Sequence, residues 1–438
     1  MPDPFAPDPR LKAVIFDLDN TLCATDHLNQ VRLNGTREQL QPHLPRLCAY
    51  PQLDAVLAEL SRVLPVAIVS RARSWYTEDV LRQIFPNVRW ATVVSYDDVI
   101  LQKPHPAGLL LAAERMGIAD RRGVAYLGDT KDDMEAAYHA GMRPVLCTWG
   151  AGVQQGYFSK QIIPDAVLDR VEDILAYVRD PDAFLPLLEA RLAKRDPPAG
   201  TRRQLTEFAG KGPPFVINVL GRYFSNAGST LHLHAQHDLS RWLERKDEPG
   251  QFVQQRFVYA VAEAVEAIGK EADINTVTVI PSKAGAEPRM ERLLAALGPL
   301  MRPYYPAVDF VPDLLAFAPD AQRIKHMKRA ERLEEVERSL HLVKPVPGRR
   351  VLVLDDVLTV GGTMRTARRL LLAGGAAHVV GLALTKTIGG AMFRVDPTTR
   401  PCPACGRNLV VIPKRNGGRF RGCEGYWSEP KCRYTESI

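Results

Sequence analysis

Val351-Leu-Val-Leu-Asp-Asp-Val-Leu-Thr-Val-Gly-Gly-Thr363 is the stretch that decides the fold. Its opening apolar residues predict a buried parallel strand. Asp355 and Asp356 end that strand, a short loop carries Thr359, Gly361, Gly362 and Thr363, and a helix is expected from about Met364. A strand, a glycine-containing loop and a helix N-terminus make an anion cradle, because backbone N–H groups and the helix dipole face the anion together. The lysine of a Walker loop is missing from the stretch. The acidic pair instead falls where ribose hydroxyls would lie if the loop held a 5-phosphate.

These residues resemble the PRPP-binding signature of type I phosphoribosyltransferases, two acids followed by Thr-Thr-Gly-x-Thr. Val360 replaces the second threonine, which keeps the backbone cradle and removes one hydroxyl. Upstream, the expected strand Thr276-Val-Thr-Val-Ile280 runs into Pro281-Ser-Lys-Ala-Gly285. A loop at this place meets pyrophosphate in the resembled family, so Ser282, Lys283 and Gly285 become candidates. The basic run Gln322 to Arg332 is similar to a Gln/Arg-rich segment of the competence-type ComF phosphoribosyltransferases, and the likeness extends over about 275–388. The resemblance implies PRPP and a base-like acceptor as partners.

A second phosphate site is expected near the N-terminus. The apolar run Leu11–Phe16 leads into Asp17-Leu-Asp19-Asn-Thr21, and Pro65–Val69 leads into Ser70. Lys103 follows a short run, Ala91–Ser95, and Val124–Leu127 leads into Gly128-Asp129-Thr-Lys-Asp-Asp133. Each polar residue falls at the C-terminal end of a predicted strand, where open α/β sheets bind ligands. Two carboxylates two residues apart can divide labour, one attacking phosphorus and one handling protons. In this order the four motifs resemble the haloacid-dehalogenase superfamily over residues 10–178. The resemblance implies that Asp17 is the nucleophile and that Asp19 is the general acid/base, its backbone carbonyl on Mg²⁺. It further implies that Ser70 and Lys103 bind the phosphoryl group of a phosphate monoester. Asp129 and Asp133 would complete the Mg²⁺ site. The spacing from Thr21 to Ser70 leaves room for a flap and not for a full cap, so an open site able to admit a bulky ester is expected.

Residues 179–214 are rich in Pro, Gly and charge and read as a linker with one helix, Ala183 to Ala193. Beyond it, His232 and His234 are expected on one face of a strand, and Gln251–Gly269 has helical spacing. The continuation Val379-Val-Gly-Leu-Ala-Leu384 suits a second doubly wound domain over 215–392.

At the C-terminus, Cys402, Cys405, Cys423 and Cys432 form a Cys-x2-Cys, x17, Cys-x8-Cys pattern suited to tetrahedral Zn²⁺. The surrounding residues 400–438 resemble the zinc ribbons of type IA DNA topoisomerases. Lys and Arg outnumber Glu there by eight to three, interleaved with Phe420, Tyr426, Trp427 and Tyr434. Aromatics stack bases while cations meet phosphates, so single-stranded nucleic acid is the expected partner.

Composition agrees with this organisation. The 438 residues carry a net charge of +7, a weak bias toward anionic partners. The N-terminal stretch lacks the apolar core of a signal peptide, and no window approaches the length of a membrane span. Three scattered and four clustered cysteines suit a reducing cytoplasm. The expected molecule is an α/β protein of two doubly wound, Rossmann-like parallel sheets plus a small C-terminal zinc ribbon. Its expected activity is phosphoribosyl transfer to a base-like acceptor, followed by removal of the 5-phosphate to give a nucleoside-like product. Two other readings fit the same motifs: a phosphatase that processes nucleic-acid ends, and a PRPP-sensing regulator that binds nucleic acid.

Overall fold

The computed structural model describes residues 6–150, 162–196, 205–208, 215–226, 230–245, 248, 250, 253–283, 285–321, 329–388, 401–406, 409–413, 419–423 and 432–437. The chain divides into two compact units, Met1–Tyr157 with Pro164–Phe184 and Gly389–Ile438, and Phe158–Ile163 with Leu185–Ile388.

The parallel sheet of the first unit has six strands: β1 (Ala13–Phe16), β2 (Val66–Val69), β3 (Thr92–Val94), β4 (Val124–Gly128), β5 (Arg143–Cys147) and β6 (Ala166–Leu168). They lie in the order β3-β2-β1-β4-β5-β6, and every pairing is parallel. Side chains alternate across a strand, so Val14 and Phe16 enter one core with Ile68 and Leu127. Ala13 and Ile15 enter the opposite core with Ala67, Val69 and Tyr126. Burial on both faces is why these strands are apolar throughout rather than alternating with polar residues.

The stretch expected to form a flap holds α1 (Asn29–Asn34) and α2 (Arg37–Leu40), with 3-10 turns at Asp26–Leu28 and Leu44–Arg46. Leu28 and Leu40 anchor it in the first core. The helices α3 (Leu53–Val63), α4 (Ser74–Ile84), α5 (Ala107–Arg115), α6 (Lys131–Ala140) and α7 (Asp173–Arg179) complete the layers.

The second unit begins with α8 (Leu187–Leu192), although the sequence placed this helix in a spacer. Leu188 is buried in the core of the second unit, and Glu189 is buried against Arg222 at 2.5 Å. Burial opposes its ionisation, yet Arg222 and His237 hold the Glu189 carboxyl well below the usual carboxylate range. Local Pro and charge content masked this tertiary role. The stretch from 183 to 193 is a 3-10 turn at Pro181–Phe184 followed by α8, not one helix.

Seven strands form the second sheet: β7 (Leu205–Phe208), β8 (Phe215–Val219), β9 (Arg222–Phe224), β10 (Thr276–Val279), β11 (Asp309–Phe310), β14 (Arg350–Leu358) and β15 (His378–Ile388). The order is β11-β10-β14-β15-β8-β7, with β9 also pairing β15. All pairings are parallel except that of β7 with β8. A separate antiparallel pair joins β12 (Leu315–Phe317) to β13 (Leu340–Leu342). Around these lie α9 (Leu231–Gln236), α10 (Asp238–Glu244), α11 (Gln255–Ala272), α12 (Arg289–Met301), α13 (Arg329–Ser339) and α14 (Gly362–Ala373).

Two local expectations are corrected. The histidine-rich segment is helical, not a strand, because a two-residue alternation over six residues cannot override neighbouring packing. His234 Nδ1 sits 2.7 Å from the Phe224 carbonyl, and His237 caps α10 by accepting from Ser240 N. The strand carrying the acidic pair also runs two residues beyond it, to Leu358, because β15 continues alongside it and pairs Val357 with Thr385 and Leu358 with Lys386. Part of the basic run, residues 322–328, lies outside the described residues.

The C-terminal ribbon consists of β16 (Leu409–Pro413), β17 (Arg419–Cys423) and β18 (Thr435–Ser437), all antiparallel. No helix among the described residues is long and apolar enough to cross a membrane.

Candidate active sites and metal centre

In the first unit the strand order reverses where β1 meets β4, and loops leaving the C-terminal ends of such strands diverge to open a crevice. Asp17 follows β1, Ser70 follows β2, Asp129 follows β4, and Lys103 comes from the segment between β3 and α5. All four are buried, as are Asp19 and Asp133. Lys103 Nζ donates to Asp17 Oδ1 at 2.6 Å, Asp133 Oδ1 at 2.6 Å and the Tyr126 hydroxyl at 2.8 Å. Thr130 and Asp133 form the capping box of α6, with Thr130 N and Oγ1 both donating to Asp133 Oδ2. A side chain on Gly128 would meet Asp133 Cβ at 2.6 Å, so only glycine lets β4 approach that helix turn.

One carboxylate oxygen each from Asp17, Asp129 and Asp133 lie within 4.8 Å of one another. Burial, then repulsion from the neighbouring acids, pushes Asp17 up to about 7 and Asp129 up to about 8. Asp133 is held low: burial opposes this, but Lys103 and Thr130 outweigh it. Three buried carboxylates against one ammonium leave an excess of negative charge that a divalent cation would relieve, and hard oxygen donors suit Mg²⁺. The residues therefore fit such an ion.

Asp19 turns away from this cluster. Its Oδ1 accepts from Thr25 Oγ1 (2.7 Å) and the Tyr76 hydroxyl (3.1 Å), while Oδ2 meets Ser70 Oγ (3.4 Å) and Arg32 Nη1 (3.2 Å). Thr25, Arg32, Tyr76 and Tyr126 escaped the sequence reading. Tyr126 and Tyr76 look like ordinary apolar positions of a strand and a helix, and Arg32 lies in a flap with no motif.

In the second unit, β14 delivers the acidic pair. Asp356 is buried and accepts from Arg289 Nε (2.8 Å) and Nη2 (2.7 Å) at the start of α12. Asp355 Oδ1 accepts from the Asp356 amide at 2.9 Å. Thr359 and Val360 follow, and Gly361 caps α14 at φ +74°, a left-handed conformation that side chains resist. Gly362 and Thr363 form the first helical turn. Ser282 Oγ donates to Glu287 O (2.9 Å) and Glu291 Oε2 (3.1 Å), Gly285 has φ +72°, and Lys283 Nζ stands 4.9 Å from the Phe317 ring. Burial lowers the Lys283 ammonium below its ordinary value. Ser282, Lys283 and Gly285 thus follow β10, the strand beside β14. Arg289 and Lys386 were not anticipated; the latter interrupts an otherwise apolar strand, a signal that could have been read.

In the ribbon, Cys402 Sγ lies 3.7 Å from Cys432 Sγ and Cys405 Sγ lies 3.4 Å from Cys423 Sγ. All four sulfurs lie within 4.8 Å of one another. A tetrahedral zinc with ~2.3 Å bonds needs sulfurs ~3.8 Å apart, so the thiolates fit. Phe420 and Tyr434 are half-buried and Arg433 is exposed, whereas Tyr426, Trp427 and Lys431 lie outside the described residues.

Residues 38–147 match the haloacid dehalogenase-like hydrolase family, and residues 251–387 match the phosphoribosyl transferase domain. The first match takes in Ser70, Lys103, Asp129 and Asp133 and begins after Asp17 and Asp19. Among curated proteins, the chain is 29% identical over 153 residues to a phosphoglycolate phosphatase of Pectobacterium atrosepticum, covering 34% of this chain and 64% of that one. It is 31% identical over 148 residues to the phosphoglycolate phosphatase of Escherichia coli K12, covering 34% and 56%. The chain thus spans between about half and two thirds of these relatives. A solved hydrolase of the same superfamily, subfamily IA, from Geobacter sulfurreducens PCA aligns at 16% identity and a TM-score of 0.30, over 39% of this chain and 97% of that one.

Proposed function

The chain joins a haloacid dehalogenase-like hydrolase domain to a phosphoribosyltransferase domain, two families of enzymes, and from that premise we propose that the two act in series to make a nucleoside-like product. In the second unit, the N–H groups of Thr359–Thr363 hold the 5-phosphate of PRPP, Asp355 and Asp356 take the ribose hydroxyls, and Ser282, Lys283 and Gly285 meet pyrophosphate. A nitrogen of a base-like acceptor bonds to C1 as the C1–pyrophosphate bond breaks. In the first unit, an Asp17 oxygen attacks phosphorus and the ester oxygen leaves with a proton from Asp19. Water then attacks the aspartyl-phosphate, returns a proton to Asp19 and releases phosphate. Lys103, with Ser70, would meet the phosphoryl oxygens as charge builds on them. Mg²⁺ held by Asp17, Asp129, Asp133 and the Asp19 carbonyl would neutralise that charge further. Zn²⁺ on the four cysteines would supply most of the folding free energy of the ribbon. A reducing cytoplasm suits these free thiols.

The observation that supports the proposal is one chain bearing both a buried Asp17–Lys103 ion pair and a loop turned by left-handed Gly361 into a helix, each at the C-terminal ends of parallel strands. Its test is to incubate the intact protein with PRPP, Mg²⁺ and a panel of bases, and to follow products by mass spectrometry. Pyrophosphate, phosphate and a dephosphorylated riboside are expected together. No riboside from any base would overturn it, and PRPP binding without pyrophosphate release would point to a regulator.

The ribbon supports a second reading. Half-buried Phe420 and Tyr434, with exposed Arg433 next to Tyr434 in the chain, offer residue types suited to single-stranded nucleic acid. The phosphatase would then act on terminal phosphates, and phosphate release from phosphorylated oligonucleotides, faster than from small esters, would favour it.

A further inference from the structure

Lys386 stands near the C-terminal end of β15 and is 1% exposed. Its Nζ donates to the carbonyl oxygens of Thr359 at 2.6 Å and Thr387 at 3.1 Å. Among the described residues no carboxylate pairs with it, and burial alone pushes the ammonium down to about 8. A buried cation without an acid costs stability, so its retention calls for another reason.

The reason lies in the plane of one peptide. In a trans peptide the carbonyl of one residue and the N–H of the next point in opposite directions. With the Thr359 carbonyl drawn to a buried ammonium, the Val360 N–H is turned away from the interior, toward the mouth of the loop. The Val360 carbonyl is in turn taken by Arg365 Nη2 at 3.2 Å, which fixes the plane of the following peptide. Neither the Val360 nor the Gly361 N–H has a partner among the described residues. Two successive N–H groups left open, ending at a left-handed glycine at the start of a helix, suit an anion. Position 360 is a valine, so its side chain offers the anion nothing.

We propose that Lys386 is a positioning residue for the phosphate loop, holding the Thr359 carbonyl so that the Val360 N–H faces the 5-phosphate of PRPP. The inference rests on the reading of this loop as a PRPP site. Lys386 never touches the phosphate; it sets the backbone that does. The ammonium also lends the loop positive potential that a surface lysine would lose to solvent.

The test uses the full chain with Mg²⁺ and compares wild type, Lys386→Met and Lys386→Gln by calorimetry with PRPP and with ribose 5-phosphate, alongside thermal unfolding. Lys386→Met is expected to weaken both ligands by about tenfold or more, the scale of one or two lost ligand hydrogen bonds. Its Tm should stay equal or rise, because an uncompensated buried ammonium has gone. Lys386→Gln, whose amide can donate to the same carbonyl, should recover most of the affinity. Unchanged affinity in Lys386→Met overturns the inference, as does a loss matched by a fall in Tm, which is what a merely structural lysine would give. A loss confined to PRPP and spared for ribose 5-phosphate overturns it too, since the effect would then lie at the pyrophosphate end. Wild type that binds neither ligand overturns the PRPP reading beneath it, a result distinct from all the others.

Discussion

At the scale of single residues the phosphatase site is a problem in charge. Lys103 is shared between Asp17 and Asp133 at 2.6 Å each, and Asp129 adds a further acid, which accepts from Thr21 Oγ1 at 3.3 Å. Asp17→Asn removes the nucleophile while keeping its shape, so hydrolysis of a generic phosphate ester should disappear and PRPP binding should persist. Undiminished turnover in the mutant would refute the assignment. The same crowding sets a pH dependence. Asp17 and Asp129 have folded values raised to about 7 and about 8, above the unfolded carboxylate value, so between roughly pH 4 and pH 8 the folded state holds more protons than the unfolded one. Stability of the metal-free protein therefore falls as pH rises through that window. Mg²⁺ competes with those protons and should raise Tm more at pH 8 than at pH 5. Calorimetric scans with Mg²⁺ and with chelator at both pH values would show it, and an equal shift at the two would contradict the cluster as a cation site.

At the scale of elements, β14 and α14 explain why the second site could be read from sequence at all. An apolar run, two acids, and glycines at a helix start leave little choice of local structure. The loop's support was less legible because it comes from afar: Arg289 reaches Asp356 across 67 residues, and Lys386 reaches Thr359 across 27. The same contrast holds in the first unit, where Asp17, Ser70, Lys103 and Asp129 stand out at strand ends. Tyr126, hidden in an apolar strand, needed the fold to place its hydroxyl beside Lys103. The helix α8 was misplaced for a like reason, since Arg222 and His237, beyond the Pro/Gly-rich stretch, show why Glu189 is buried. These supports separate two substitutions. Asp355→Asn and Asp356→Asn should each weaken PRPP binding by ~1–3 kcal/mol per lost charge-assisted bond. Asp356→Asn should also lower Tm, because it takes the negative charge from the ion pair with Arg289. Calorimetry with PRPP and thermal unfolding together would decide, and unchanged PRPP affinity in the double mutant would refute the loop's role.

At the scale of the whole molecule the chain carries three sources of order, two sheets with their own apolar cores and one set of four thiols, and they should fail separately. Each sheet is buried on its own side chains, from Val14 and Phe16 in one unit to Leu352 and Leu354 in the other. Cys402, Leu409 and Cys423 form a small buried cluster among the ribbon's described residues, and a segment of about 40 residues is too short to fold readily without metal. Chelation of zinc should thus unfold the ribbon while the two sheets persist, seen as lost ribbon resonances with far-UV dichroism largely kept. Deleting residues 400–438 should accordingly leave PRPP binding and hydrolysis of small esters in place. What the deletion should remove is retention on single-stranded nucleic acid, because Phe420 and Tyr434 would stack bases at ~1–3 kcal/mol each while Arg421 and Arg433 meet phosphates. Binding of that kind weakens with salt as counterions are released. Fluorescence anisotropy on a labelled oligonucleotide, comparing the full chain with the truncation at low and moderate salt, reads the difference directly. Equal binding by the two would place any nucleic-acid contact outside the ribbon and leave the ribbon a structural or protein-docking clip.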